Sequence, residues 1–375
     1  MKSLRPTIEN LKALTSLRFV AALMIVFYHA SNYFPWAAWA KNLFLNQGVS
    51  FFFVLSGFIL THVYTSKSVS YSAFLWARFA RIYPTHLVTC LLVISFIRPD
   101  SRQFPGVGFF DPLVVLASNL TLTHSLPPFI NYTYSWNSVS WSISTEMFFY
   151  LAFPLLLVGI RRNWYWKLAC AVGIICAYAI VASVFHIPAT SERLTDLTIT
   201  FLCYASPLFR GFEFVLGMSA YVVWRRLRTY IPGLLVGTVL EAAAVVVVIL
   251  WFRNMPHLAL SPTFQFWLNS AGGCGVFAIL IVAMASASGV IGKALKWRPL
   301  VWLGEVSFAL YMVHQLLMKW IYIKQLEGQI GPVGPVTVFG ACLIAAAILH
   351  HLVEGPARKS LMGQWVPFQL WQPRH

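Results

Sequence analysis

Apolar residues along this chain fall neither in the alternation of a half-buried strand nor in the narrow stripe of a soluble helix. They come in runs of about twenty, the length that crosses a bilayer as one α-helix, separated by short basic, proline- or glycine-bearing breaks. Ten such runs are predicted: Leu14 to Phe34, Leu43 to Tyr64, Ile82 to Ile97, Ser138 to Ile160, Leu168 to Phe185, Ser206 to Trp224, Ile231 to Phe252, Phe264 to Ser288, Leu300 to Trp320 and Val333 to Val353. The stretch Asp111 to Leu126 is apolar too, but it is short and lies between proline-bearing segments. It is expected to be a re-entrant or interfacial helix. The fold class that follows is all-α, a polytopic membrane protein of about ten transmembrane helices.

Composition sharpens this picture. Of 375 residues 59% are hydrophobic and 10% charged, with mean hydropathy +0.71, whereas soluble domains carry about 25% charged residues. One membrane domain is expected to occupy residues 1–375, with a core at about 11–355 and no separate soluble domain. The first run follows Lys2, Arg5 and Lys12, is too long for a signal-peptide core and lacks a small-residue cleavage pattern, so it is expected to be retained. The six cysteines have neither metal-ligand nor paired spacing, which argues against a metal site and a disulfide framework.

The net charge of +16 raises nucleic acid as a partner, and position answers it. With the N-terminus in the cytoplasm, ten crossings return the C-terminus there. Nineteen of the 27 lysines and arginines, including those of "RRNWYWK" (161–167) and "WRRLR" (224–228), then fall on the cytoplasmic side. That is the positive-inside bias, so no nucleic acid is needed, and an eleventh crossing would put both clusters on the wrong side.

Ionisable residues inside spans are costly, on the order of 3 kcal/mol for an arginine at the centre, and usually mark a pathway or a site. Arg18 and His29 both lie in the first run. Their eleven-residue separation turns a helix about 20° past three full turns and spans about 16 Å, so they share a face. Arg18 could snorkel to headgroups and His29 could sit wet at the outer interface, but as a pair on one face they favour a polar track. Histidine also titrates where proton transfer near neutrality needs it.

The segments "LRFVAALMIVFYH" (17–29), "GVSFFFVLSGFIL" (48–60), "FLWARFARIYP" (74–84), "SWSISTEMFFYLAFPLLL" (140–157) and "LGEVSFALYMVHQLL" (303–317) occur in that order. Together they resemble the membrane acyltransferase-3 family, over essentially the whole chain. The resemblance implies O-acylation of polysaccharides and related acceptors, with acetyl the usual group. It also implies that Arg78 and Arg81, matching the family's paired-arginine motif, engage the phosphates of a cytoplasmic acyl-coenzyme A. On composition alone the two are equally well ordinary positive-inside charge in the loop after the second span, although arginine forks do match phosphate oxygens. Some relatives in the family carry a further esterase-like domain, whereas 21 residues follow Glu354 here. Ser50 stands where many relatives have aspartate.

Glu146 in the fourth span, with Ser142 one turn earlier on its face, is expected to orient the His29 imidazole as a third group orients a catalytic base; a structural hydrogen bond is the alternative. In the ninth span Ser307, Tyr311 and His314 share a face. Tyr311 and His314 are placed at the acceptor cavity, where bonding between helices competes as a reading. Trp136 and Trp141, in "FINYTYSWNSVSW" (129–141), offer aromatic faces beside amides and hydroxyls for a sugar, though Trp and Tyr also form interfacial belts. Arg210 and Glu213 are spaced to pair, while Glu241 and Glu305 have no partner evident in sequence.

With this resemblance, the sequence points to an O-acyltransferase, expected in the bacterial cytoplasmic (inner) membrane. It would transfer an acyl group, acetyl being expected, from cytoplasmic acyl-CoA to a hydroxyl of an extracytoplasmic carbohydrate such as an exopolysaccharide or lipopolysaccharide unit. His29, Arg18 and Glu146 are assigned to catalysis, Arg78 and Arg81 to the donor, and Trp136, Trp141, Ser142, Tyr311 and His314 to the acceptor cavity. Acyl-CoA is a co-substrate, with no tightly bound cofactor and no metal. His29 fits either as a base for direct attack or as a carrier of the acyl group. The rival class is a transporter or flippase, against which stand the lack of an internal repeat and of paired broken helices.

Overall fold

A computed structural model describes residues 11–67, 69–97, 108–227, 233–258 and 262–363. Lys2, Arg5, Arg228 and Arg374, counted above toward the basic side, lie outside the described residues. Among the described residues ten helices are long and apolar enough to cross a membrane, and there is no strand. They are α1 (Lys12–Tyr33), α2 (Leu45–Tyr64), α3 (Tyr71–Phe96), α4 (Ser138–Leu157), α5 (Ile160–Val184), α6 (Ile199–Leu227), α7 (Leu234–His257), α8 (Phe264–Ser286), α9 (Arg298–Leu326) and α10 (Pro335–Gly363). The protein is an integral membrane protein.

The helices sort by what surrounds them. Helices α2 and α8 are central, 72% buried over their apolar windows, whereas α5 at 11% and α7 at 17% are peripheral. The outward faces of α5 and α7 carry side chains such as Ile180, Val239 and Ile249, which suits contact with lipid and would be an aggregation hazard in water. Helix α1 packs along α9, and α2 along α6. These contacts are close because glycine permits them: a Cβ on Gly57 of α2 would overlap the Phe214 carbonyl of α6, and one on Gly304 of α9 would overlap the Thr15 carbonyl of α1. Small residues at such crossings let backbones approach where water provides no driving force between helices.

Helix α3 begins at Tyr71 rather than at Ile82, so Arg78 and Arg81 stand on the helix and not in a preceding loop. Ser70 caps its start, its Oγ accepting from the Ala73 N–H at 3.2 Å. A hydropathy window stops at the arginines because it treats every charge as a break. Here the backbone continues, because both guanidinium groups turn toward an internal cavity. Pro84 also stays within α3, an interruption that transmembrane helices tolerate when their surroundings satisfy the freed backbone. Between α4 and α5, Gly159 takes φ +63, the left-handed conformation open to glycine, and reverses the chain. The apolar stretch after Asp111 contains one helix, Pro112–Leu120, whose N-terminal Leu113 N–H is capped by Asp111 Oδ1 at 2.8 Å. Nine residues rise about 14 Å, too little to cross.

Candidate active site

The inward faces of α1, α2, α3, α4 and α9 line two cavities, the larger of which is also walled by α6, α8 and the segment before α4. The smaller, about 140 Å³, is lined by Arg18, Arg78, Arg81, Ser56, Ser142, Glu146, Tyr150 and Tyr311. The larger, about 520 Å³, is lined by His29 together with Tyr28, Asn32, Trp136, Trp141, Tyr204, Tyr311, Gln315 and Lys319. Val49 and Tyr311 line both and form the partition between them. Arg18 and His29 thus both face the interior, as their helical phase requires, but each opens on its own chamber.

The small chamber is electropositive. Three guanidinium groups and one carboxylate line it, and among the described residues no ion pair joins Arg18, Arg78 or Arg81 to an acid. The Arg78 guanidinium lies about 6 Å from the rings of Tyr64, Phe74 and Tyr150, an arrangement that favours a cation. Its Nε is buried and without a hydrogen-bond partner. An unsatisfied buried donor on a cation is expensive unless a ligand completes it, and an anion such as a phosphate is the ligand that would do so.

Glu146 belongs to this chamber. Its Oε1 accepts from Ser56 Oγ at 2.8 Å and from Tyr150 OH at 2.7 Å. The expectation that Glu146 orients His29 is therefore corrected. The His29 imidazole pairs with His314 of α9, Nδ1 to Nε2, at 2.8 Å. Helical phase along α4 correctly placed Ser142 beside Glu146, but which helix faces His29 is decided by the α1–α9 contact, and no periodicity within a single helix reports that.

The partition is built from hydroxyls. Tyr311 OH donates to the Val139 carbonyl at 2.9 Å and lies 2.8 Å from Ser142 Oγ. Of the residues assigned to the acceptor, Trp136, Trp141 and Tyr311 line the large cavity, Ser142 lines the small one with Tyr311, and His314 stands behind His29. Trp136 takes φ +50, a left-handed conformation that is strained for a bulky residue. The segment carrying it is tied to α9 by Asn137 Nδ2, which donates to the Met312 carbonyl at 3.0 Å, and to α4 through Ser125 and Ser144. His124 in the same segment is fully buried, its Nε2 3.1 Å from Ser140 Oγ. Burial, and then the neighbouring His86, push its pKa down to about 3.

A scaffold of which the sequence shows only a spacing lies beside the large cavity. Arg210 pairs with Glu213 (Nε to Oε2, 2.5 Å), as expected, and both are about 1% exposed. The same guanidinium donates to Ser50 Oγ and to the Ser270 carbonyl, and it lies 5.6 Å from the Trp141 ring and 5.7 Å from that of Tyr204. Ser50 thus meets this cation as a neutral acceptor. Glu241 finds partners too, accepting from the Gly289 and Gly292 N–H groups at 2.9 and 2.8 Å. Glu305 is exposed.

Against known proteins, residues 11–351 match the family described as an acyltransferase domain. Acyltransferase MdmB of Streptomyces mycarofaciens is 31% identical over 387 residues, covering 95% of this chain and 94% of that protein. Nodulation protein 10 of Rhizobium leguminosarum bv. viciae is 26% identical, covering 92% of each. Peptidoglycan O-acetyltransferase OatA of Listeria monocytogenes is 23% identical over 95% of this chain but 56% of its own length. No solved structure matches. With the match running from the start of α1 into α10, the chain belongs to the acyltransferase-3 family of membrane proteins.

Proposed function

We propose that the protein is an O-acyltransferase that draws an acyl group, acetyl in the simplest case, from acyl-CoA on the cytoplasmic side and delivers it to a carbohydrate hydroxyl on the other side. The observation that carries this reading is the pair of chambers meeting at Val49 and Tyr311, one lined by three arginines and the other by a histidine among amides and aromatic rings. In a bacterium the membrane would be the cytoplasmic one. In this reading the Arg18 end of α1 and the start of α3 face the cytoplasm, the side to which the positive-inside bias assigns the basic loops, and coenzyme A is drawn from there.

In this reading Arg78 and Arg81 hold the donor's phosphates at the mouth of the small chamber, and Arg18 guides the donor inward. The thioester reaches the partition while the sugar occupies the large cavity. That cavity combines Trp136, Trp141 and Tyr204 with Asn32 and Gln315, apolar faces beside convergent polar groups as small-molecule sites require. The names of OatA and its relatives as O-acetyltransferases support a carbohydrate acceptor. Near the partition His29 removes the acceptor's hydroxyl proton, and the oxygen attacks the thioester carbonyl. The C–S bond then breaks, and the thiolate takes the proton from His29 as it leaves. Bond for bond, thioester and alcohol become ester and thiol. The acyl-histidine route is the second reading, since His29 itself lines that cavity.

The test is transfer of radiolabel from acetyl-CoA to a glycoside by the purified protein in proteoliposomes. Wild type is expected to label the glycoside, and His29→Ala, still inserted and folded, to lose that activity. Wild-type transfer by His29→Ala would remove His29 from the chemistry. Glycoside flux without label would support a carrier instead.

A further inference from the structure

His314 lies wholly inside the bundle, 0% exposed, and its two ring nitrogens meet different kinds of partner. Its Nδ1 is 2.8 Å from the Tyr311 carbonyl and 3.1 Å from the Leu310 carbonyl of its own helix. Carbonyl oxygens only accept, so Nδ1 carries the proton. In a neutral imidazole the other nitrogen is then a bare acceptor, and among the described residues no acid pairs with His314 to hold a charge there. The Nε2 of His314 faces His29 Nδ1 at 2.8 Å, so His29 Nδ1 must be the donor. The remaining His29 nitrogen, Nε2, is left with its lone pair free on a half-buried ring that lines the large cavity.

We propose that His314 is a positioning residue that fixes His29 in its Nδ1–H tautomer, so that Nε2 is the atom that takes the acceptor's proton. This rests on the reading of His29 as the base. The chain of assignments has one direction. Backbone carbonyls of α9 set the tautomer of His314, His314 sets that of His29, and the base is ready before either substrate arrives. When the acceptor's O–H bond breaks, the proton joins His29 Nε2, while the Nδ1–H continues to donate to His314. No proton moves between the rings, and the Nε2 proton leaves with the thiolate. A carboxylate is the common third group behind a catalytic histidine. The nearest assigned candidate, Glu146, is occupied by Ser56 and Tyr150 in the other chamber, and His314 supplies the orienting acceptor without adding a second charge.

Two variants of the full-length protein in proteoliposomes separate positioning from packing. His314→Phe keeps ring volume but removes the acceptor, whereas His314→Gln can place an amide oxygen near the former Nε2. The expected result is a fall in kcat of about 100-fold or more for His314→Phe, the scale of general acid–base catalysis, with KM for acetyl-CoA within about twofold. His314→Gln should recover at least tenfold of the lost kcat. Ring-¹⁵N histidine spectra of the resting protein, with the His29 signals identified by their loss in His29→Gln, should show Nε2 of His29 unprotonated and Nδ1 protonated. Equal loss in the Phe and Gln variants at unchanged Tm, unchanged kcat in the Phe variant, or a protonated His29 Nε2 would each overturn the proposal while His29→Ala stays inactive. Activity in His29→Ala would instead overturn the reading of the base itself.

Discussion

Replacing Arg78 with glutamine tests the small chamber directly. The arginine is surrounded by three rings, its buried Nε has no partner, and the chamber holds Arg18 and Arg81 as well, with Glu146 as the lining acid. Because no acid pairs with it in the absence of donor, its loss leaves no carboxylate stranded, and the effect should fall on the ligand. A charge-assisted hydrogen bond contributes about 1.5–3 kcal/mol, and 1.4 kcal/mol is about tenfold in affinity. The Kd for coenzyme A should therefore rise between about 10- and 150-fold. Arg78→Lys keeps the charge but loses the fork, so it should fall between wild type and glutamine. Calorimetric titration of coenzyme A into protein in nanodiscs measures this. Repeating it with dephospho-coenzyme A, which lacks one phosphate, shows whether Arg78 and that phosphate are coupled. Steady-state transfer should show the change in the donor's KM with kcat within about threefold. A Kd unchanged within twofold in a protein of unchanged Tm would refute the assignment of the chamber to the donor.

Three further outcomes follow from the geometry. Arg210→Met strands the Glu213 carboxylate in the interior and should destabilise by about 3–5 kcal/mol, seen as a lower Tm in detergent; adding Glu213→Leu should restore most of it, and a failure to do so would mean that Arg210 matters through Trp141 and Tyr204 instead. Glu241→Ala removes the acceptor for two N–H groups, Gly289 and Gly292, and should lower Tm by an amount corresponding to about 1–3 kcal/mol, while Glu305→Ala, at an exposed site, should not change it measurably. His124 has its pKa depressed by burial to about 3, so between that value and its unfolded value near 6.5 the unfolded chain binds more protons, and stability must fall as pH drops. From pH 6.5 to 5 this amounts to about 2 kcal/mol; Tm against pH should be flatter for His124→Asn, and an identical slope would show that another group controls acid sensitivity.

Much of the fold was legible in the sequence because hydropathy is a local sum. Twenty apolar residues commit a segment to span wherever its neighbours lie, and all ten spans were found. Helical phase is local too, so Arg18 and His29 were placed on one inward face, and Ser142 with Glu146. The errors arose where local sums fail. Arg78 and Arg81 looked like a loop because their charges break the hydropathy, although α3 runs through them and turns them inward. Glu146 was assigned to His29 because a carboxylate is a familiar partner for a base. Which helices touch, and at what height, depends on crossings such as Gly304 of α9 on Thr15 of α1, and these bring residues 285 positions apart to 2.8 Å. The sequence by itself determined the membrane-spanning character, the number of crossings, and the shared faces of Arg18 with His29 and of Ser142 with Glu146. Only the tertiary structure decided that His314 backs His29, that Glu146 joins the arginines, and that two chambers meet at Tyr311, because pairing between helices is set by packing complementarity over the whole bundle and leaves no periodic trace along any one of them.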